Sequence, residues 1–457
     1  MPSKNQFRPL SILQVLLAFA LAFTAAKSSR AAQSDWSGMA EILARIVPPA
    51  FPDREFPVTS QGAVGNGTTD CTEAFRKAIA ACHQAGGGRV VVPAGVYLTG
   101  AIHLLSNVNL HLEKDATIRF STDPKKFLPV VFTRNECIEV MNYSPFIYAL
   151  DQTNIAVTGE GVLDGQASDS VWYTWKSSSD SKKLSDMGEQ NVPVARRVFG
   201  DGRHLRPCFV EPVRCRNVLI EGVRIVDSPM WVLHPLYSTN VTIKGVTVDT
   251  KGPNTDGCDP DSCTDVLIKD CSFSDGDDCI AIKSGRDADG RRINIPCQNL
   301  VIQNCTFSDG HGGIALGSET SGGIRNVFAE GCTFDSPDLD SAMRFKTNPA
   351  RGGYIEDIHI RNCTVKTARV GIHMTMKYTS SGSRDGDSMP VVHNIDIRDS
   401  TFASLTRQPV FIEGWSPSVQ ITDVTIANCN FSSAPRASFV TNASRIDFTG
   451  THGTGLE

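Results

Sequence analysis

CSFSDGDDCIAIKSG from Cys271 and CTFSDGHGGIALGSE from Cys305 are variants of one phrase, and aligned on their cysteines they set Asp277 over His311. If the two phrases are neighbouring strands, equivalent outward side chains stand about 4.8 Å apart and can share a proton or one bound group. The preceding stretch, NTDGCDPDSC from Asn254, carries extra turn residues and brings Asp256 to the same wall. Farther on, MRFKT from Met343 aligns with IAIKS from Ile280. The two-residue strand period turns Met343 and Phe345 inward and Arg344 and Lys346 outward. Crowded carboxylates resist joint ionisation, so one of Asp256, Asp277 and Asp278 is driven to hold a proton while another stays charged. That pairing is what cleavage of a glycosidic bond needs: an acid for the leaving oxygen and a base for water. Arg344 and Lys346 would then meet a sugar carrying its own carboxylate, and have little purpose against a neutral one.

Taken singly, these residues are ordinary. Asp and Gly are the commonest turn residues, so one DG or DD pair reads as a satisfied turn. Asp carboxylates with turn carbonyls also suit Ca²⁺. The adjacent Arg and Lys repel a cation, so neither a metal nor a cofactor is expected. The full set across four successive repeats is what separates chemistry from turn composition.

The element that must position them is a repeat. NVLIEGVRI from Asn217 returns as NVTIKGVTV, DVLIKDCSF, NLVIQNCTF, NVFAEGCTF, DIHIRNCTV, NIDIRDSTF and DVTIANCNF, at spacings of 23 to 37 residues, with a fainter copy at NIAVTGEGV from Asn154. Each alternates apolar and polar residues around a central Gly, Asn or Asp, the pattern of two short strands joined at a corner. Repeats of this length without a helix predict stacked coils of a parallel β-helix, an all-β fold. Leucine-rich repeats would need a different Leu and Asn spacing, and propeller blades four strands per repeat. Variable spacing places insertions in turns, where substrates are met. DCTEAFRKAIAAC from Asp70 reads as an amphipathic helix capping the first coil, with Asp70 and Glu73 at capping-box spacing, and AGGGRVVVPAGVYLTG from Ala85 as that coil.

The chain has 457 residues and a formal net charge of −5, with no Lys/Arg run fit for nucleic acid. Lys4 and Arg8 precede an apolar stretch, Leu10 to Ala26, then small residues at Ser29 and Ala31: an export signal, too short to span a membrane. Three segments follow: 1–31 signal peptide, 32–105 capping helix and first coil, and 106–457 catalytic β-helix. An exported, secreted or periplasmic monomer is expected, with no membrane anchor after cleavage. Of fourteen cysteines, Cys271, Cys305, Cys332, Cys363 and Cys429 recur at one repeat position and read as stacked core residues. Bridges such as Cys71 to Cys82, or one using Cys279, stay open.

The ordered motifs NTDG at Asn254–Gly257, GDD at Gly276–Asp278, GHG at Gly310–Gly312 and RxK at Arg344–Lys346 resemble the polygalacturonases, family 28 of the glycoside hydrolases. NYSPFIYA, DSPMWVLHP and GSETSGGIRNV extend the resemblance over nearly all of the mature chain. It implies a right-handed parallel β-helix and inverting hydrolysis of α-1,4-galacturonan in pectin. It also implies roles: Asp277 as proton donor, Asp256 and Asp278 deprotonating water, and His311 holding the protonation pattern of Asp277. Asn254, Arg344 and Lys346, with Tyr378 completing the subsite, would bind the substrate carboxylate. Phe345 departs from the family's usual Ile, a tolerable inward swap. Relatives cleaving rhamnogalacturonan tend to replace the second Asp of GDD with Glu and lack RxK, so homogalacturonan is favoured, with a rhamno- or xylogalacturonan hydrolase of the same family as the alternative. A Ca²⁺-dependent pectate lyase and a noncatalytic glycan-binding β-helix are the readings from other classes. The Ser- and Lys-rich segment between Asp164 and Cys208 would close one end of the groove and favour exo action.

Overall fold

The Asn or Asp that opens each repeat is there for a backbone reason. In the computed structural model, which describes residues 36–379 and 385–456, Asn154, Asn217, Asn240, Asp265, Asn299, Asn326, Asp357, Asn394 and Asp423 all have φ between 54° and 60°. That left-handed conformation is one Asn and Asp tolerate better than other non-glycine residues. Their side chains also form ladders from coil to coil, as in Asn217 Nδ2 to Asn154 Oδ1 and Asn240 Nδ2 to Asn217 Oδ1, both 2.8 Å. The bend in mid-repeat is a second left-handed residue, for example Gly222, Gly245, Asp270 and Asn304.

Between these corners the strands stack in parallel. One twelve-stranded sheet runs in chain order from Gly88–Val92 to Ala443–Asp447, one strand per coil. After the bend a second run pairs Ser272–Ser274 with Thr306–Asp309 and Thr306–Asp309 with Thr333–Asp335. Inward side chains meet like on like: Phe273 stacks on Phe307 at 5.8 Å, and Phe307 faces Phe334 at 4.8 Å. The fold is the expected right-handed parallel β-helix, the hand that parallel crossover connections take. From Met39 to Glu457 it is one compact unit, and the signal sequence expected at 1–31 lies outside the described residues.

The helix at the first coil spans Thr72–Gln84 and buries Ala74, Phe75, Ala78, Ile79 and Cys82. The expected capping box is not made: the helix starts one residue later with Cys71 as N-cap, Asp70 Oδ1 accepts from the Thr72 N–H at 2.9 Å, and Glu73 turns to Arg76 at 2.7 Å. A guanidinium one turn on offers a charge-assisted bond stronger than the backbone N–H the box would use. All fourteen cysteines are buried free thiols, Cys71, Cys82 and Cys279 among them. They serve as small apolar core residues.

Candidate active site

Three consecutive strands, Ile280–Ile282, Gly312–Gly317 and Ser341–Lys346, make the wall that carries the site. Ile280 pairs with Ile314 and Ile314 with Met343, while Ala281, Ala315 and Arg344 share the next position. That is the register the sequence predicted, and Met343 and Phe345 are buried as expected. Just before this wall, the His311 N–H donates to the Asp277 carbonyl at 2.8 Å, and His311 Nδ1 lies 2.9 Å from Asp277 Oδ1. Two motif glycines allow this packing. A Cβ on Gly276 would stand 2.1 Å from the Gly252 carbonyl oxygen, and one on Gly312 2.7 Å from Asp278 Oδ1.

Asp256, Asp277 and Asp278 bring carboxylate oxygens within 4.8 Å of one another. Each is held differently. Asp278 is fully buried, accepting from Arg344 Nη1 at 3.2 Å and from Lys346 Nζ. Asp277 keeps 21% of its side chain exposed and also receives Asn254 Nδ2 at 3.4 Å. Burial alone would raise its pKa, but the His311 hydrogen bond and the Lys346 charge outweigh that and hold Asp277 well below the usual carboxylate range. His311 is raised in return, foremost by the same bond. Asp256 goes the other way: burial, reinforced by the Asp277 charge, pushes it up to about 8. The site therefore keeps its proton on Asp256 and its charge on Asp277, the split that acid–base chemistry requires.

This split has a measurable cost. Folded, Asp256 keeps its proton to about pH 8; unfolded, it ionises near 3.8. Between those values unfolding releases a proton, so this group's contribution to stability falls as pH rises. Asp256→Asn is expected to remove that loss, raising the thermal midpoint at pH 7 to 8 relative to wild type, with the difference fading towards pH 4. Thermal melts across pH 4 to 8 test it, and equal midpoints at every pH would refute it.

Several residues here were not singled out by the sequence reading. Lys283 is buried against the Trp231 ring, its Nζ 3.7 Å from Asp256 Oδ2, 3.7 Å from Asp259 Oδ1 and 3.1 Å from Glu319 Oε2. A signal for it existed, since the alignment of IAIKS with MRFKT puts Lys283 at the Lys346 position. Asn254 Oδ1 accepts from Lys176 Nζ and from Arg206 Nη2 at 2.8 Å, two donors from the insertion after Asp164 that no repeat pattern flags. Tyr378 does join the site, its ring 5.2 Å from Lys346 Nζ and 5.8 Å from the Arg344 guanidinium. Together Glu136, Lys176, Asn254, Asp277, Lys283 and Tyr378 help line one pocket. The three aspartates are close enough to cradle a divalent cation, but Lys283, Arg344 and Lys346 already supply their counter-charges, which makes a poor cation site.

A parallel β-helix with a protonated and an ionised carboxyl on its outer wall, flanked by an imidazole and paired cations, defines a carbohydrate-cleaving enzyme, a glycoside hydrolase. The family model described as "Glycosyl hydrolases family 28" matches residues 82–450. The chain belongs to that family and hydrolyses O-glycosyl bonds. It is 33% identical over 390 residues to a "Probable polygalacturonase" of Vitis vinifera, covering 82% of this chain and 74% of that protein. The crystal structure of a hyperthermoactive exopolygalacturonase from Thermotoga maritima superposes with a TM-score of 0.85 at 39% identity, covering 92% of this chain and 97% of that one. The polygalacturonase of Erwinia carotovora shares the fold, with a TM-score of 0.68 at 23% identity over 88% of this chain and 98% of that one.

Proposed function

We propose that this enzyme is a polygalacturonase that removes sugars from the end of α-1,4-galacturonan chains in pectin by inverting hydrolysis. It acts as an exported monomer, residues 1–31 being its signal peptide. The observation that carries end-on action is the contact at Asn254: the turn Tyr173–Ser177 of the insertion delivers Lys176 onto it, beside Asp277. The similarity to the exopolygalacturonase of Thermotoga maritima supports the same reading.

In this scheme Asp277 protonates the leaving oxygen and Asp256 and Asp278 handle the water. The free site leaves Asp277 ionised, so substrate must load it. A sugar seated over Asp277 strips its remaining water, and a uronate carboxylate adds negative charge nearby; both raise its pKa. The neighbouring proton on Asp256 supplies what is transferred. The carboxylate oxygens lie within 4.8 Å of one another, nearer than the roughly 6.5–9.5 Å usual between the carboxyls of an inverting pair, so the anomer released first decides inversion.

Early products from polygalacturonate, separated by anion exchange, are expected to be small end-derived saccharides. Proton NMR should show the β anomer first. A ladder of mixed oligomers from the outset would refute end-on action, and unsaturated, ultraviolet-absorbing ends would refute hydrolysis.

A further inference from the structure

Most cations in and around the pocket are already matched. Arg344 and Lys346 share Asp278, Lys283 is shared among Asp256, Asp259 and Glu319, Arg286 pairs with Glu136, and Arg351 pairs with Asp287 and Glu319. Lys176 and Arg206 stand apart from this pattern. Among the described residues, neither is ion-paired to a carboxylate, yet both donate to the same neutral atom, Asn254 Oδ1. Two positive groups bonded to one oxygen stand within two hydrogen-bond lengths of each other, a repulsive arrangement that an anion would relieve. The Arg206 guanidinium is nearly fully buried and bound otherwise only to carbonyls, those of Pro229 and Pro253. Burial lowers its pKa, so its charge is held there against a desolvation cost. The Lys176 ammonium is exposed and lines the pocket.

We infer that Lys176, backed by Arg206, is the receptor for the carboxylate of the terminal uronate, the sugar released at each turnover. Position supports this. Asn254 also donates Nδ2 to Asp277, so an anion taken up on its Oδ1 side lies within one sugar of the acid. Arg344 and Lys346 lie on the later coils, at the other side of the aspartates. Cations thus flank the carboxylates on both sides, and the scissile bond runs between two uronate-binding ends. Lys176 belongs to the insertion after Asp164 and lines the pocket, so the side chain that meets Asn254 also reads the charge of the chain's last residue.

The inference rests on the end-on reading above, and its test separates the two. Lys176→Ala and Lys176→Arg are compared with wild type on trigalacturonate, with galacturonate and galactose as competing inhibitors. Loss of one charge-assisted contact is expected to raise KM for Lys176→Ala roughly tenfold, with kcat within about threefold of wild type. Galacturonate inhibition should weaken in parallel while galactose inhibition stays the same, and Lys176→Arg should recover most of the affinity. Because the ammonium is exposed, both variants should melt with wild type. An unchanged KM in Lys176→Ala, or a fall in kcat alone, would overturn the assignment. End-on action is judged separately, from the wild-type product pattern.

Discussion

Asp277→Asn is expected to lower kcat on polygalacturonate by about three orders of magnitude, while KM and thermal stability stay near wild type. The amide keeps the size of the carboxyl and can still accept from His311 Nδ1 and from the Asp278 N–H, so the local packing survives. What it cannot do is pass a proton. The ion pair it removes is partly open to water, with His311 half exposed, and such pairs contribute about 1 kcal/mol or less. His311 supplies an independent check. Its pKa is raised chiefly by the Asp277 bond, so in the variant its NMR titration should move down towards the ordinary imidazole value. A variant that keeps its turnover would leave Asp277 as a turn residue, as a noncatalytic β-helix requires.

Asp278→Ala should fail in a different way, losing both activity and stability. Its carboxylate is fully buried beneath Arg344 and Lys346, whose side chains are only 14% and 6% exposed. Removing it strands two buried cations, and breaking a buried pair costs roughly 3–5 kcal/mol. Chemical denaturation should therefore begin at clearly lower denaturant than for wild type. Adding Lys346→Met removes the worse-placed cation, so the double variant should regain part of that stability and none of the turnover. If Asp278→Ala unfolds with wild type, Lys346 and Arg344 must find other partners, and their ion pairing with Asp278 is not what holds this wall.

The contrast between the two aspartates shows what each level of description carries. They are adjacent in sequence and identical in type. Asp278 sits in a charged interior, whereas Asp277 faces His311 and the pocket. The GDD motif announced both without distinguishing their surroundings. It also gave no hint that the free site places its proton on Asp256, because that depends on burial and on which cation each carboxylate reaches.

The repeat determined most of the architecture. A Gly, Asn or Asp at each mid-repeat bend, apolar alternation on either side and a common register were all visible along the chain, because β-helix contacts join positions that are equivalent in sequence. That periodicity was enough to set Asp277 beside His311 and to turn Arg344 and Lys346 outward together. The three-dimensional structure decided everything that departs from the period. Lys176 meets Asn254 from 78 residues away, Arg206 from 48, and Glu73 abandons its capping partner for Arg76. Insertions have no register to inherit, so where their side chains land is set by packing and charge in the folded molecule. In this enzyme two of them land on Asn254, beside the acid Asp277.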